Sequence, residues 1–240
     1  MDSLGFTLAS RDKVVEIKTY IEGELLEKKG REFILSLDTP VAICCGENME
    51  LDEAIAFIND RARDFINSNQ KQFGENYDCY NAMQSVLAWD NIYDPGIRRV
   101  ITPVSRIWSS EWFASEDFGG FTLFCWDTYF ASMMLSVGNK ELAYANAVEI
   151  TKAITESGFV PNCFYSNNFK SRDRSQPPVG SLAVWTIYKQ YQEKWFLELL
   201  YKELLTWNRW WSRNREDGGL LCLGSNPYEK VTYFRSEFDT

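Results

Sequence analysis

The spacing of apolar residues changes character near residue 50. Before it, short β-prone runs at residues 14–21 and 33–37 are separated by a turn-like Glu-Lys-Lys-Gly at residues 27–30, and a third run at 41–45 follows Pro40. Such runs predict two or three strands within residues 1–46. Three strands scarcely form a stable sheet alone, so we expect this segment to pack on the rest of the chain or to be the tail of a β domain.

From Leu51 onward the apolar period is helical. One stripe predicts an amphipathic linker helix within residues 47–75, formed by Leu51, Ile55, Ile58, Ala62, Phe65 and Ile66. Further helices are predicted at residues 77–89, 126–137, 141–157, 179–193 and 195–215, with stop signals at Gly138-Asn139 and Gly158. The pattern over residues 76–240 predicts a mainly α fold of helical hairpins.

Two long segments interrupt the helices, at residues 91–122 and 159–178, and both are rich in aromatic residues, glycine and proline. Long irregular loops in a compact helical domain usually carry function. We therefore expect the functional residues to lie in these loops and at the helix ends beside them.

Charge narrows the classes of ligand. The chain has 240 residues, of which 45% are hydrophobic, and its net charge is -9. This negative charge repels polyphosphate and anionic lipid, so it favours a neutral substrate over nucleic acid or a membrane surface. No apolar run approaches the roughly 20 residues that span a bilayer, and the first residues lack the pattern of a signal peptide. We expect a cytoplasmic protein.

The residue types available for catalysis are restricted, because the chain has no histidine. This excludes Ser-His-Asp and Cys-His catalysis and imidazole-dependent zinc sites, and leaves carboxylate chemistry. The six cysteines show no CxxC spacing and are expected to be reduced thiols, mostly in the core. Aromatic residues make up 15% of the chain, which suits both core packing and stacking on sugar rings.

Several ordered motifs carry a resemblance. GGFTLFCWDTYF at residues 119–130, GFVPN at 158–162, DRSQPPVGS at 173–181 and WNRWW at 207–211 occur in one order, preceded by AWDNIYD at 88–94 and TPVSRIW at 102–108. Together they resemble glycoside hydrolase family 63 and its mannosylglycerate hydrolase-like relatives over roughly residues 80–226. The resemblance implies an (α/α)6 toroid and an inverting glycosidase that needs no cofactor or metal.

Within this resemblance, Asp127 matches the general acid. Arg106 and Trp108 match positions at the mouth of the site, and Gln176 precedes Pro177-Pro178 at a predicted helix start, where its amide can bridge two sugar hydroxyls. The other expected substrate-binding residues are Trp89, Asp90, Trp126, Tyr129, Asn162 and Arg174.

Each assignment has a plainer structural alternative. An aspartate that opens a helix is an ordinary N-cap, Arg106 and Trp108 suit an ion pair or the core, and Gln176 suits loop capping. Trp207, Trp210 and Trp211 are expected to fill the core. The acid also meets a physical conflict: a helix N-terminus lowers a carboxyl pKa, so Phe124, Trp126, Tyr129 and Phe130 must raise it by desolvation.

The chain departs from the family pattern in two respects. It supplies about half of the roughly twelve helices of a six-hairpin ring, and no residue matches the motif of the general base. We therefore expect an incomplete toroid that lacks the general base. Either the chain is a fragment, or a partner supplies the rest of the ring, or the protein has lost catalysis. Its open apolar faces favour a homo-oligomer or association with the missing half of the barrel.

The leading hypothesis is an inverting, exo-acting glycosidase for small α-linked glucosides or mannosides. The alternatives are a non-catalytic carbohydrate-binding or assembly module, and a purely structural helical repeat protein. The second alternative explains the helices but leaves the loop motifs unexplained. The 240-residue chain alone is expected to bind sugar weakly and to turn it over negligibly.

Overall fold

The computed structural model describes residues 4–9, 14–22, 24–29, 32–45, 49–94, 98–103, 121–165 and 170–225. The chain forms two compact units, Met1–Tyr77 and Asp78–Thr240. The strands of the first 46 residues and the helix that follows them belong to the first unit, and the helical hairpins belong to the second. The motifs that carry the resemblance therefore all lie in the second unit.

The first unit contains five strands, β1 (Leu4–Ala9), β2 (Val14–Glu22), β3 (Leu25–Lys29), β4 (Glu32–Leu35) and β5 (Ala42–Cys45). They form an antiparallel sheet in the order β1-β2-β5 and a separate β3-β4 hairpin. The predicted strands correspond to β2, β4 and β5. The predicted turn at residues 27–30 is wrong for residues 27–29, which are part of β3. All five side chains of β3 are exposed, so its charged residues gave no alternating pattern.

Helix α1 (Leu51–Phe73) confirms the predicted amphipathic helix and is followed by a 3-10 turn at Gly74–Asn76. Its apolar stripe is not buried in this unit, because Ile58 and Phe65 are exposed and the buried residues of the helix are Ala54 and Asn69. Periodicity thus predicted the helix correctly, while the partner for its apolar face does not come from the described residues of the first unit.

The second unit is mainly α, as predicted, with α2 (Tyr77–Ala88), α3 (Cys125–Leu135), α4 (Lys140–Lys152), α5 (Gly180–Tyr191) and α6 (Lys194–Asn214). Short antiparallel pairs join them: β6 (Ile92–Asp94) with β7 (Arg99–Ile101), β8 (Thr122–Phe124) with β9 (Cys163–Tyr165), and β10 (Glu216–Asp217) with β11 (Leu220–Leu221). None of the helices in the described ranges has the length and apolarity that a bilayer crossing requires.

One predicted helix is too long at its end. The segment 141–157 stops being helical after Lys152, because Thr155 donates its backbone N–H to the Phe159 carbonyl at 2.8 Å and closes a tight turn. Gly158 in this turn has φ +94°, a backbone conformation that glycine adopts without steric cost. The turn directs the chain from α4 into the loop that precedes α5.

The four helices α3 to α6 form two hairpins whose directions alternate. Tyr129 in α3 bonds Thr151 near the end of α4 at 2.8 Å, so these helices are antiparallel. The Tyr191 hydroxyl at the end of α5 donates to the Ser136 carbonyl at the end of α3, so these two are parallel. Helices α3 and α5 therefore begin at one end of the bundle, where α4 and α6 finish. We call this the Asp127 end.

Two salt bridges show the relative direction of α4 and α6. Lys152 reaches both Glu203, at 2.7 Å, and the Leu199 carbonyl, at 2.8 Å. Lys140 at the start of α4 pairs with Glu193 just before α6, at 2.8 Å. Helix α6 therefore runs parallel to α4 and carries its C-terminal half to the Asp127 end.

Within the described ranges these helices do not close a ring. The structure therefore contains helical hairpins of the expected kind but no complete toroid. Exposed apolar side chains remain on three of these helices, with Trp126 and Phe130 on α3, Leu182 and Trp185 on α5, and Trp195, Leu199 and Tyr201 on α6. An incomplete ring was expected to leave such faces open. The expected association that would cover them stays a prediction.

The core between the hairpins is aromatic, as predicted for the tryptophans of α6. Trp207, Trp210 and Trp211 are all buried, and Trp207 stacks on Tyr129 with ring centroids 5.9 Å apart. The five cysteines whose side chains are described are free. Cys125 and Cys163 are buried as expected, whereas Cys79 and Cys222 are exposed, which corrects the expectation of core thiols at those positions.

The close packing of α5 on α3 depends on the absence of a side chain at Gly180. A Cβ at Gly180 would lie 2.7 Å from Tyr129 Cζ and 2.9 Å from Leu204 Cδ2. Gly180→Ala is therefore expected to destabilise the protein by about 1–3 kcal/mol, the usual cost of overpacking a core. Urea unfolding measures this, with Ser181→Ala on the exposed face of the same helix as the control. Equal stabilities of the two variants would contradict the prediction.

Candidate active site

Helix α3 begins directly after strand β8 and carries Asp127 in its first turn. The residue at its N-cap position is Phe124, which has an extended backbone and offers no side-chain cap. The first two N–H groups of the helix instead find hydrogen-bond acceptors in distant parts of the chain. Cys125 donates its N–H to the Asn162 carbonyl at 3.0 Å, and Trp126 donates its N–H to Gln176 Oε1 at 2.9 Å.

The loop before α5 is held in place by a short series of hydrogen bonds. Asn162 donates its N–H to the Arg174 carbonyl at 3.0 Å. The Ser175 hydroxyl donates to the Val160 carbonyl at 2.6 Å and accepts the Trp207 indole N–H at 3.0 Å. These bonds, together with the β8-β9 pair, dock the loop on the start of α3.

The Asp127 carboxyl group is partly buried, and burial raises its pKa above the ordinary aspartate value. Hydrogen bonds from its own backbone N–H and from the Trp126 side chain favour the carboxylate and lower the pKa, but desolvation is the larger effect. Desolvation, which favours the protonated carboxyl group, therefore outweighs the hydrogen bonds at the helix start, which favour the carboxylate. That direction suits a group that must donate a proton.

The aromatic residues around Asp127 divide between surface and core. Trp126 is 40% exposed and its ring lies 6.2 Å from that of Phe130, so both are accessible beside the carboxyl group. Tyr129 was expected to bind substrate, but its side chain is fully buried, bonded to Thr151 and stacked on Trp207. This placement corrects the expectation, because a side chain enclosed in the core cannot contact a sugar there. The helical period places residue 129 on the inner face of α3.

Arg174 was also expected at the substrate surface. Its guanidinium forms an ion pair with the adjacent Asp173, and both side chains are mostly buried. Asp173 Oδ1 has no hydrogen-bond partner within the described part of the chain. The described contribution of Arg174 to the site is through its backbone carbonyl, which holds Asn162.

Trp89 and Asp90 follow the end of α2. Gln84 donates its side-chain N–H to the Met134 carbonyl at 2.9 Å, while Tyr80 lies against Gly138. Helix α2 is therefore antiparallel to α3, and Trp89 lies one further turn towards the Asp127 end.

The end of α2 is also open to solvent. Trp89 is 75% exposed, and Asp90 is partly exposed beside it. An open cavity of about 460 Å³ is lined by Ser85, Ala88, Trp89 and Asn91. This surface has the aromatic face and amide group that a sugar ring can use.

The remaining two assignments, Arg106 and Trp108, lie outside the described residues, so their roles stay predictions. Of the other expected residues, the structure brings Asp127, Trp126, Asn162 and Gln176 together at the start of α3. Asn162 takes part through its backbone groups, and Gln176 through its side chain.

Sequence reasoning missed Ser175, whose hydroxyl links the loop to the core tryptophan Trp207. It also missed the contact between Gln176 and the backbone of α3. A signal for the second was present, because a helix that starts with Phe-Cys-Trp has no residue able to cap it locally. Such a helix needs a hydrogen-bond acceptor from another part of the chain.

Residues 121–228 match the family model of the mannosylglycerate hydrolase MGH1-like glycoside hydrolase domain. The match contains helices α3 to α6 and the segment that carries Asp127, Asn162 and Gln176. It confirms, over this part of the chain, the resemblance drawn from the motifs. A search of curated proteins finds no match.

Proposed function

We propose that this protein is an inverting, exo-acting glycosidase for small α-linked glucosides or mannosides, with Asp127 as its general acid. The observation that carries the proposal is the carboxyl group of Asp127, partly buried and with a raised pKa, at the start of a helix in the glycoside hydrolase-like segment. It lies in a cluster that also offers an accessible indole and an amide. This combination suits proton donation to a neutral sugar.

In the proposed reaction, protonated Asp127 donates its proton to the glycosidic oxygen as the bond from that oxygen to the anomeric carbon breaks. The carboxylate that remains is stabilised by its own backbone N–H and the Trp126 side chain. Water attacks the anomeric carbon from the opposite face and gives its proton to a second carboxylate, typically ~6.5 to 9.5 Å from the acid. The configuration at the anomeric carbon inverts.

Three carboxylates of this chain, Asp90, Asp173 and Glu237, are the candidates for the base if the chain itself is active. Asp173 is buried and held in an ion pair with Arg174, so its carboxylate does not face a substrate or an attacking water. Asp90 is partly exposed and lies at the end of α2, towards Asp127. Glu237 lies outside the described residues. Because no residue of the chain matches the general-base motif, the resemblance favours a base from the later half of the barrel.

An assay of the purified 240-residue chain tests this part of the proposal. Weak binding of α-glucosides or α-mannosides, measured by calorimetry, and negligible hydrolysis are expected, because no residue of the chain matches the motif of the general base. Hydrolysis at an ordinary enzymatic rate would show that the base lies within the chain. Asp90→Asn and Glu237→Gln would then separate the candidates, because only replacement of the base abolishes turnover.

A catalytically complete form of the enzyme tests the stereochemistry. Hydrolysis of an α-glycoside, followed by proton NMR, is expected to release the β anomer first, before mutarotation. Initial release of the α anomer would contradict inversion. Sugar binding without hydrolysis in the complete form would favour the non-catalytic carbohydrate-binding module instead.

A further inference from the structure

The two helices of the first hairpin are capped in different ways. Helix α4 has a local cap, because Asn139 Oδ1 accepts the Leu142 N–H at 3.0 Å. Helix α3 starts at an extended phenylalanine and has no cap of its own. Its second N–H group, from Trp126, is accepted by Gln176 Oε1, from a residue 50 positions further along the chain.

We infer that Gln176 is a positioning residue, whose side-chain amide caps α3 from the loop before α5 and holds Asp127 at the helix end in a state suited to proton donation. The inference rests on the proposed role of Asp127 as the acid and deepens it. It gives Gln176 a task that differs from direct contact with sugar hydroxyls and makes specific the alternative of loop capping, both of which the sequence had suggested.

The geometry gives the amide little freedom to do otherwise. On its N-terminal side, Ser175 is fixed to Val160 and to the Trp207 indole. On its C-terminal side, Pro177-Pro178 restricts the backbone up to the start of α5. Gln176 is thus held between a core contact and a rigid turn, with its oxygen on the first turn of α3.

The choice of an amide has an electrostatic consequence. A free N–H at a helix start carries partial positive charge and stabilises a nearby carboxylate. In this protein the Trp126 N–H is occupied by a neutral oxygen, so it stabilises the adjacent Asp127 carboxylate less than an open helix end would. An ionised side chain at position 176 would also occupy the N–H, but would add a charge next to the acid.

Two other titratable groups on the first turns of α3 add no charge beside Asp127. The Cys125 thiol and the Tyr129 hydroxyl are fully buried, and burial raises the pKa of both groups, so they stay neutral at pH 7. Helix α5 has no acidic residue in its first turn. Among the charged groups of the loop, α4 and α6, Asp173 pairs with Arg174 and Lys152 with Glu203.

Two substitutions at position 176 are expected to shift the acid in opposite directions. Gln176→Leu frees the Trp126 N–H, favours the Asp127 carboxylate and lowers its pKa. Gln176→Glu keeps an acceptor but adds negative charge, opposes ionisation of Asp127 and raises its pKa. Each shift should be roughly 0.5 to 1 unit, the size that a helix-end charge interaction produces. The acid must be protonated, so the alkaline limb of kcat/KM moves down for leucine and up for glutamate.

The experiment titrates the Asp127 carboxyl group by carbon-13 NMR in the whole chain, with Asp127→Asn to identify its signal. This reading needs no turnover, and the pH profile of kcat/KM supplements it in a catalytically complete enzyme. Asn139→Ala is the matched control, because it removes one helix cap from the same hairpin at the end remote from Asp127. It should lower Tm about as much as Gln176→Leu and leave the pKa of Asp127 unchanged.

Shifts of opposite sign for the two Gln176 variants, absent from the control, support the inference. Unchanged titration in both variants overturns it, as do shifts in one direction that Asn139→Ala reproduces. Failure of the proposed function gives a different result. In that case the catalytically complete form shows no hydrolysis, or Asp127→Asn hydrolyses α-glycosides at the unsubstituted rate, whatever the titration of Asp127 shows.

Discussion

Asp127→Asn is expected to reduce turnover of α-glucosides or α-mannosides by about 10²- to 10⁴-fold in the catalytically complete enzyme, the usual contribution of a positioned general acid. Asparagine keeps the shape of the side chain and can still bond to neighbouring groups, so folding and sugar binding should change little. What is lost is the proton that the leaving oxygen requires. The measurement is kcat with natural-type substrates, alongside sugar affinity and Tm.

The leaving group provides the internal control for this result. Glycosides with very acidic leaving groups need little protonation, so Asp127→Asn should impair their hydrolysis far less. Asp217→Asn, an exposed carboxylate in β10 of the same domain, is the matched variant and should leave activity unchanged. Equal losses on both kinds of substrate would argue that Asp127 has a structural role and is not the proton donor.

Trp207→Ala is expected to destabilise the protein by about 3–5 kcal/mol, the range for deleting a buried tryptophan. Trp207 is 1% exposed, stacks on Tyr129 and donates its indole N–H to Ser175. The substitution leaves a large cavity and also frees the loop that carries Gln176. Denaturant unfolding measures the stability, and the binding of sugar should weaken in parallel.

Two variants separate these contributions. Trp207→Phe retains an aromatic ring and loses the hydrogen bond to Ser175, so its cost should be clearly smaller than that of alanine. Trp185→Ala on the outer face of α5 removes a tryptophan that is 51% exposed and should change stability little. A loss at Trp185 as large as at Trp207 would contradict the assignment of the core.

The sequence predicted an element correctly where the spacing of its apolar residues was clear, and missed it where that spacing gave no pattern. Helices α2 to α6 have apolar residues at three- and four-residue spacing, and their positions were predicted with small errors at the ends. The end of α4 was missed because Thr155 closes a turn with Phe159 that the apolar pattern does not record. Strand β3 was missed because its side chains are all exposed and therefore carry no alternation.

The candidate site shows the same division. Asp127, Gln176 and Asn162 were selected by ordered motifs, and the structure brings them together across as many as 50 positions of sequence. Motif matching did not separate accessible from buried members, since Trp126 and Tyr129 belong to one motif, yet Trp126 is 40% exposed and Tyr129 is fully buried. Only the packing of α5 and α6 decides which side is the interior.

The sequence by itself determined the helical hairpins, the restriction to carboxylate chemistry and the candidate acid, because periodicity, the absence of histidine and the motifs are all written in local text. Tertiary structure decided how that acid is held. The Asn162 carbonyl, the Gln176 amide and the buried Trp207 reach α3 from distant segments. The pKa of Asp127 likewise depends on desolvation and hydrogen bonding in three dimensions, which no local pattern encodes.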